Sequence, residues 1–242
     1  MKLQYILFES VSTNDVIEQM AIPATSNGSA TSRIFDNIAY EYEEFDGDMY
    51  NVIDAFIDLN HSAIQSILQL ATKFEYLGSG QYGDAYDLGN YVLKIEARRS
   101  PDMQQNANSE ERGKKTTKAL WSGKKSMGKA VPMIYDSGEF HFLEHTFYWE
   151  IKEKFETPDL NDKKLKQALT DTIVLLQMKN GIHYLDASDV SYIADKLRLG
   201  KDWVKRLASD MAELKKQGMN DFHAGNIGIR RSGAEGYLYF FD

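Results

Sequence analysis

The chain has 242 residues, with 28 Lys+Arg against 36 Asp+Glu, a formal net charge of −8, and no cysteine. Disulfides, thiolate nucleophiles and Cys-ligated metal centres are therefore excluded, and the charge balance as a whole suits neither a nucleic acid nor an anionic membrane. At 43% hydrophobic and 12% aromatic the composition is that of a folded protein with a sizeable core.

Along the chain, Leu3 to Phe8 is apolar but broken by Gln4 and followed by Glu9, too short for a secretory core or a bilayer span. Pro23 to Ser32 is small, polar and rich in Gly, Ser and Thr, so it reads as a flexible linker, and what precedes it reads as an appendage. Apolar residues at helical spacing then predict two helices, Asp48 to Leu59 through Met49, Val52, Ile53, Phe56 and Ile57, and His61 to Lys73 through Ile64, Ile67, Leu68 and Leu70.

The period next switches to two. Ala85 and Asp87 alternate with Tyr86 and Leu88, Gly89-Asn90 supplies a hairpin loop, and Tyr91 to Ile95 resumes the alternation. Ser100-Pro101-Asp102 predicts a helix start near 101. A strand pair, Val131 to Tyr135 and Thr146 to Lys152, is expected around a connection from Gly138 to His145. After Pro158 the pattern turns helical. Leu165, Ala168, Leu169, Ile173 and Leu176 make one stripe ending at Asn180-Gly181, and Val204, Leu207, Met211 and Leu214 make another ending at Gly218. Strands before helices predict an α+β chain in two lobes with a boundary near Glu156 to Pro158. The expected segments are 1–45, a leader and flexible stretch; 46–156, a helical extension with a sheet lobe; and 157–242, a helical lobe.

Gly78-Ser79-Gly80-Gln81-Tyr82-Gly83 spells G-x-G-x-x-G, which serves both dinucleotide and kinase phosphate loops. The first use needs a helix directly after the glycines, whereas here a strand, a turn and a second strand bearing Lys94 follow. With Gly89-Asn90 as the loop, Leu88 faces Tyr91 and Asp87 faces Val92, so Ala85, Asp87, Val92 and Lys94 share one face of the ribbon. Two small apolar side chains then stand beside the lysine, a surface suited to an adenine ring. The opposite face holds Tyr86, Leu88, Tyr91, Leu93 and Ile95, and the helices between 48 and 73 are its expected cover.

A second constellation, Asp221-Phe222-His223-Ala224-Gly225-Asn226, falls between a helix ending at Gly218 and a strand from Ile227 to Arg230. A hairpin through Arg231 to Gly236 returns as Tyr237 to Phe241, ahead of Asp242. An aspartate and an asparagine five apart can, from one turn, orient an acceptor hydroxyl and hold a magnesium ion, which takes oxygen ligands and shares them with substrate phosphates.

Taken together, Gly78, Gly80, Gly83, Lys94, Asp221, Asn226 and Asp242 resemble the protein-kinase-like superfamily over about residues 74 to 242, and D-x-H-x-G-N is most similar to aminoglycoside-type phosphotransferases and compact serine/threonine kinases of tailed bacteriophages. The resemblance implies a two-lobed kinase-like fold with a small antiparallel-sheet amino lobe and a minimal helical carboxyl lobe. It also implies ATP covered by Gly78 to Gly83, Lys94 on its phosphates, an adenine-binding hinge near Glu150 to Lys154 that includes Lys152, and Mg2+ on Asn226 and Asp242. Asp221 would be the catalytic aspartate, and Glu110 or Glu111 the partner of Lys94.

The sequence departs from the family at Met219-Asn220, where most protein kinases have His-Arg, at His223, where serine/threonine kinases have lysine, and at Asp242, where the sequence stops before an activation segment, so that either a natural minimal kinase or a fragment is expected. The phage resemblance implies a host protein as substrate, with no specific nucleic acid and no membrane partner, and a place in the host cytoplasm or, if packaged, in the virion. Met1-Lys2 leading to Leu7-Phe8-Glu9 looks like the leader of some phage head proteins. A pseudokinase, a small-molecule kinase and a nucleotidyl transferase stand as alternatives.

Two other patterns receive plainer readings. His141-Phe142-Leu143-Glu144-His145 matches a zinc-peptidase spacing that needs a helix, but the flanking alternation of Phe140, Phe142, Phe147 and Trp149 predicts a hairpin. Lysines between Lys114 and Lys129 read as a solvated strip beside a helix.

Overall fold

The computed structural model describes residues 11–25, 30–42, 47–80, 83–98, 132–143, 145–179, 187–216, 222–232 and 235–240. The chain divides into two compact units, one of Met1–Asn108 with Ile134–Lys154 and one of Ser109–Met133 with Phe155–Asp242.

The amino unit opens with four helices, α1 (Thr13–Thr25), α2 (Ala30–Glu41), α3 (Met49–Leu59) and α4 (His61–Leu70). A five-stranded antiparallel sheet follows, built from β1 (Glu75–Ser79), β2 (Gly83–Asp87), β3 (Tyr91–Arg98), β4 (Ile134–Phe142) and β5 (His145–Glu153) in the order β1-β2-β3-β5-β4. The β2–β3 register is the one that the loop Gly89-Asn90 dictates, with Asp87 opposite Val92, Tyr86 opposite Leu93 and Ala85 opposite Lys94. One sheet face is apolar: Tyr86, Leu88, Leu93, Ile95, Phe147, Trp149 and Ile151 are buried in a single cluster with Ile34, Phe35 and Ile38 of α2, Phe56 of α3 and Ile67 of α4.

In the amino unit three features differ from the sequence reading. Residues 13–25 and 30–41 are helices, where a leader and flexible stretch were expected. Thr31 and Ser32 are buried because each hydroxyl has a backbone acceptor, Ile95 for Thr31 and Pro23 for Ser32, so small polar residues close a helical corner rather than loosen it. The cover of the apolar face is shared: α2 lies on β2 and β3, α1 on β1 and α4 on β4, so the helices between 48 and 73 are only part of it. The β4–β5 hairpin is tighter than expected, running from Ile134↔Lys152 to Phe142↔His145, since Phe140 stacks on Phe147 at 5.0 Å and carries the ladder almost to the turn. The expected helix near Pro101 lies outside the described residues.

The carboxyl unit contains α5 (Lys163–Lys179), α6 (Ala187–Leu197), α7 (Lys201–Lys216), a short 3-10 turn (Ala224–Asn226) and a hairpin of β6 (Ile227–Ser232) and β7 (Glu235–Phe240). Helix α6 was not anticipated. It buries Val190, Ile193, Ala194 and Leu197 against Leu165, Leu169 and Ile173 of α5, Val204 and Met211 of α7, and Phe222, Ala224, Ile227 and Ile229. A unit built on a five-stranded antiparallel sheet and a mainly helical unit agree with the expected α+β class. Among the described residues no helix is long and apolar enough to cross a membrane.

Candidate active site

On the sheet face turned away from the core, strand pairing assembles residues from four strands. Ala85 and Lys94 are directly opposed, Lys94 pairs across with Glu150, and Val92 with Lys152. Ile134 of β4 continues this row beside Lys152 and is buried although it belongs to neither core cluster, so it adds an apolar neighbour to Ala85 and Val92 that the sequence reading missed. Lys94 Nζ lies 2.9 Å from Glu96 Oε1, and Lys152 Nζ 2.7 Å from Glu150 Oε1, with side-chain exposures of 17% for Lys94 and 5% for Lys152. Each ammonium is thus paired with a carboxylate two residues away on the same face. A phosphate oxygen reaching Lys94 would meet a fixed, largely desolvated donor. Glu110 and Glu111 lie outside the described residues, and among the described residues Glu96 is one partner of Lys94.

The glycine run forms the β1–β2 tip. Gly78 and Ser79 end β1, the Gly80 amide donates to the Gly83 carbonyl at 2.8 Å, and Gly83 begins β2. A Cβ on Gly83 would stand 2.0 Å from the Ile95 carbonyl oxygen, so glycine is what lets β2 approach β3 there. Gln81 and Tyr82 lie outside the described residues. Behind the tip, Asp84 is buried at 1% exposure, and its Oδ1 accepts a hydrogen bond from Ser79 Oγ at 2.7 Å.

At the other end of β2, the buried Asp87 receives Lys73 Nζ and Lys154 Nζ, each at 2.6 Å, and the Gly89 amide at 2.9 Å. Burial pushes its carboxyl up, but the bonds from Lys154 and Lys73, with the Gly89 amide, outweigh burial and hold it below the usual carboxylate range. These contacts tie the α4–β1 connection and the end of β5 to the β2–β3 turn.

In the carboxyl unit, Phe222 is buried in the core and His223 caps the 3-10 turn. The His223 Nδ1 accepts the Gly225 amide at 3.0 Å, so in the neutral ring the proton sits on Nε2. A Cβ on Gly225 would meet the imidazole Cε1 and Nδ1 at 2.9 Å. Asn226 is buried, its backbone N–H donating to the His223 carbonyl at 2.9 Å, and β6 starts at the next residue. Ile227 pairs with Phe240, two positions before Asp242. Glu156 fastens the start of this unit to β6 by exchanging backbone bonds with Ile229. Asp221 and Asp242 lie outside the described residues.

His141 and His145 stand beside the β4–β5 turn on strands, with His141 Nδ1 3.1 Å from the Thr146 hydroxyl, so the helix that a zinc-peptidase pattern needs is replaced by a hairpin.

No protein-family model matches the chain, and no curated protein matches it. Among solved structures it is similar to the streptomycin-ATP-APH(2'')-IIa ternary complex, at 14% identity over 75% of this chain and 68% of that one, with a TM-score of 0.31.

Proposed function

We propose that the chain is an ATP- and magnesium-dependent phosphotransferase that transfers the γ-phosphoryl group to a hydroxyl, in the manner of the compact phage serine/threonine kinases its motifs resemble. The observation that carries this reading is the register that sets Lys94 of β3 opposite Ala85 of β2 and on the same face as Val92, turned away from the apolar core, with the Gly80–Gly83 turn leading into β2. Such a face accepts an adenine ring on its apolar residues and a phosphate on its lysine.

In this reading the turn amides of Gly78 to Gly83 cover the triphosphate and Lys94 aligns it. Glu150 and Lys152 border the base, with Ala85, Val92 and Ile134 as its apolar bed. The Asp221 carboxylate receives the proton of the acceptor hydroxyl as the new O–P bond forms and the bond from the γ-phosphorus to its bridging oxygen breaks, releasing ADP. His223, with Nε2–H as donor, steadies the moving phosphoryl oxygens. Asn226 and Asp242 are both oxygen donors, the ligand type magnesium takes, and they would hold the ion. When bound, magnesium neutralises phosphate charge. The acceptor is proposed to be serine or threonine of a host protein, with the host cytoplasm as the place of action.

The test is transfer of label from [γ-32P]ATP, with magnesium or manganese, to bacterial lysate proteins, to the chain itself and to a panel of aminoglycosides. Label on protein serine or threonine is expected, and Asp221→Asn should abolish it. Label on the small molecules alone would move the acceptor class. ATP binding without transfer, unaffected by Asp221→Asn, would make the chain a nucleotide-binding module, and neither binding nor transfer would overturn the proposal.

A further inference from the structure

We propose that Asp84 is a positioning residue that fixes the glycine-rich turn through the hydroxyl of Ser79. Its structural half stands alone, and its consequence for nucleotide affinity rests on the phosphotransferase reading above.

Strand alternation puts Asp84 with Tyr86 on the covered face of β2, opposite in direction to Ala85 and Asp87. A carboxylate buried there is costly unless strong hydrogen bonds hold it. One comes from Ser79 Oγ at 2.7 Å. Ser79 has a single hydroxyl proton, which this bond uses, so in the second contact of Ser79 Oγ the Tyr76 hydroxyl is the donor. The result is a directed chain, Tyr76 to Ser79 to Asp84.

The backbone is built to make it. Tyr76 pairs with Tyr86, and an unbroken register would set Gly78 against Asp84 and turn Ser79 to the other face. A register shift between Tyr76 and Gly78 instead sets Ser79 against Asp84, re-aiming one side chain as bulges do. The next residue, Gly80, begins the turn whose amide closes on Gly83. Above Asp84, the first turn of α2 reaches β3, where Thr31 Oγ1 donates to the carbonyl of Ile95, the cross-strand partner of Asp84. The helical extension thereby covers the stem of the glycine-rich turn.

The test uses the full chain and its variants Ser79→Ala, Ser79→Thr, Asp84→Asn and the double Ser79→Ala/Asp84→Asn, read by amide hydrogen exchange over residues 76–88 and by the affinity of a fluorescent ATP analogue. Loss of a charge-assisted bond should speed exchange at Gly80 about tenfold in Ser79→Ala, and by less in Asp84→Asn, whose side-chain oxygen still accepts from the hydroxyl without the charge. The double variant should be no faster than Ser79→Ala, because without the hydroxyl residue 84 has no bond from it left to lose. Ser79→Thr keeps the hydroxyl and should stay within about twofold of the wild type. Analogue affinity should fall in parallel. Unchanged exchange in Ser79→Ala, or exchange in Ser79→Thr as fast as in Ser79→Ala, overturns the proposal. If Asp84→Asn does not fold, the two Ser79 variants decide. A wild type that binds no analogue defeats the phosphotransferase reading, while the exchange data still decide the role of Asp84.

Discussion

Phe35 of α2 stacks on Phe147 of β5, ring centroids 5.5 Å apart at 28°, and both also meet Phe56 of α3 edge-on. The second helix thus closes a three-ring cluster with the sheet and the third helix, and it supplies part of the cover of the apolar sheet face. Phe35→Ala should cost about 3–5 kcal/mol, the range for emptying a buried aromatic site. Chemical denaturation checks this. A change under about 0.5 kcal/mol, the size of ordinary surface effects, would return α2 to the flexible stretch that the sequence suggests.

Asp87 supplies a pH dependence. Its folded carboxyl titrates below the ordinary value because Lys154, Lys73 and the Gly89 amide outweigh its burial. A depressed carboxyl contributes stability that is present above the unfolded pKa, near 4, and is lost as pH falls through the folded value. Melting temperature should therefore drop on acidification below about pH 4, and Asp87→Asn should flatten that segment of the profile. At neutral pH the same variant should lose about 1–3 kcal/mol, since two lysines lose their shared anion. A profile in the variant that keeps the wild-type slope would show that the acid sensitivity lies elsewhere.

Much of the amino unit is local in origin, which is why the sequence displays it. A two-residue loop fixes a hairpin register by counting, so the shared face of Ala85, Val92 and Lys94 follows from alternation, and the stripes of α3 and α4 follow from apolar spacing. What fails is non-local. Glu150 and Lys152 were expected near the site from the resemblance alone; they join Lys94 because β5 inserts beside β3 ahead of β4, with Phe147 and Trp149 packed in the core, which no local pattern gives. Pro23, Thr31 and Ser32 resemble linker residues until their buried hydrogen bonds are seen. Two misses had a signal. Val190, Ile193, Ala194 and Leu197 carry helical spacing, and Glu96 stands two residues from Lys94, where strand periodicity returns to the same face.

Lys94 is the most direct probe of the sheet face. Lys94→Met keeps the aliphatic stem and removes the charge, leaving Glu96 without the ammonium described beside it. If Lys94 aligns phosphates, transfer should fall about a hundredfold or more, in line with losing one preorganised charge on a reacting group. Because the pair with Glu96 is mostly buried, stability should also fall, by about 1–3 kcal/mol for the lost charge-assisted bond. Steady-state transfer and thermal melting on the same preparation separate the two effects, and undiminished transfer would remove Lys94 from the site.

Gly225 tests the second constellation through packing rather than chemistry. The His223 imidazole lies so close to the Gly225 backbone that an added methyl would meet Cε1 and Nδ1 at 2.9 Å. Contacts that short are repulsive, and the ring is the movable partner, so Gly225→Ala should swing His223 off the turn and break its bond from the Gly225 amide. The loss of this cap resembles His223→Ala in stability, about 1 kcal/mol in each case. Their effects on transfer should also match if His223 acts from its capped position, and the double variant should be no worse than either single one. A Gly225→Ala enzyme that transfers phosphate normally while His223→Ala does not would mean that the imidazole works from an orientation other than the capped one.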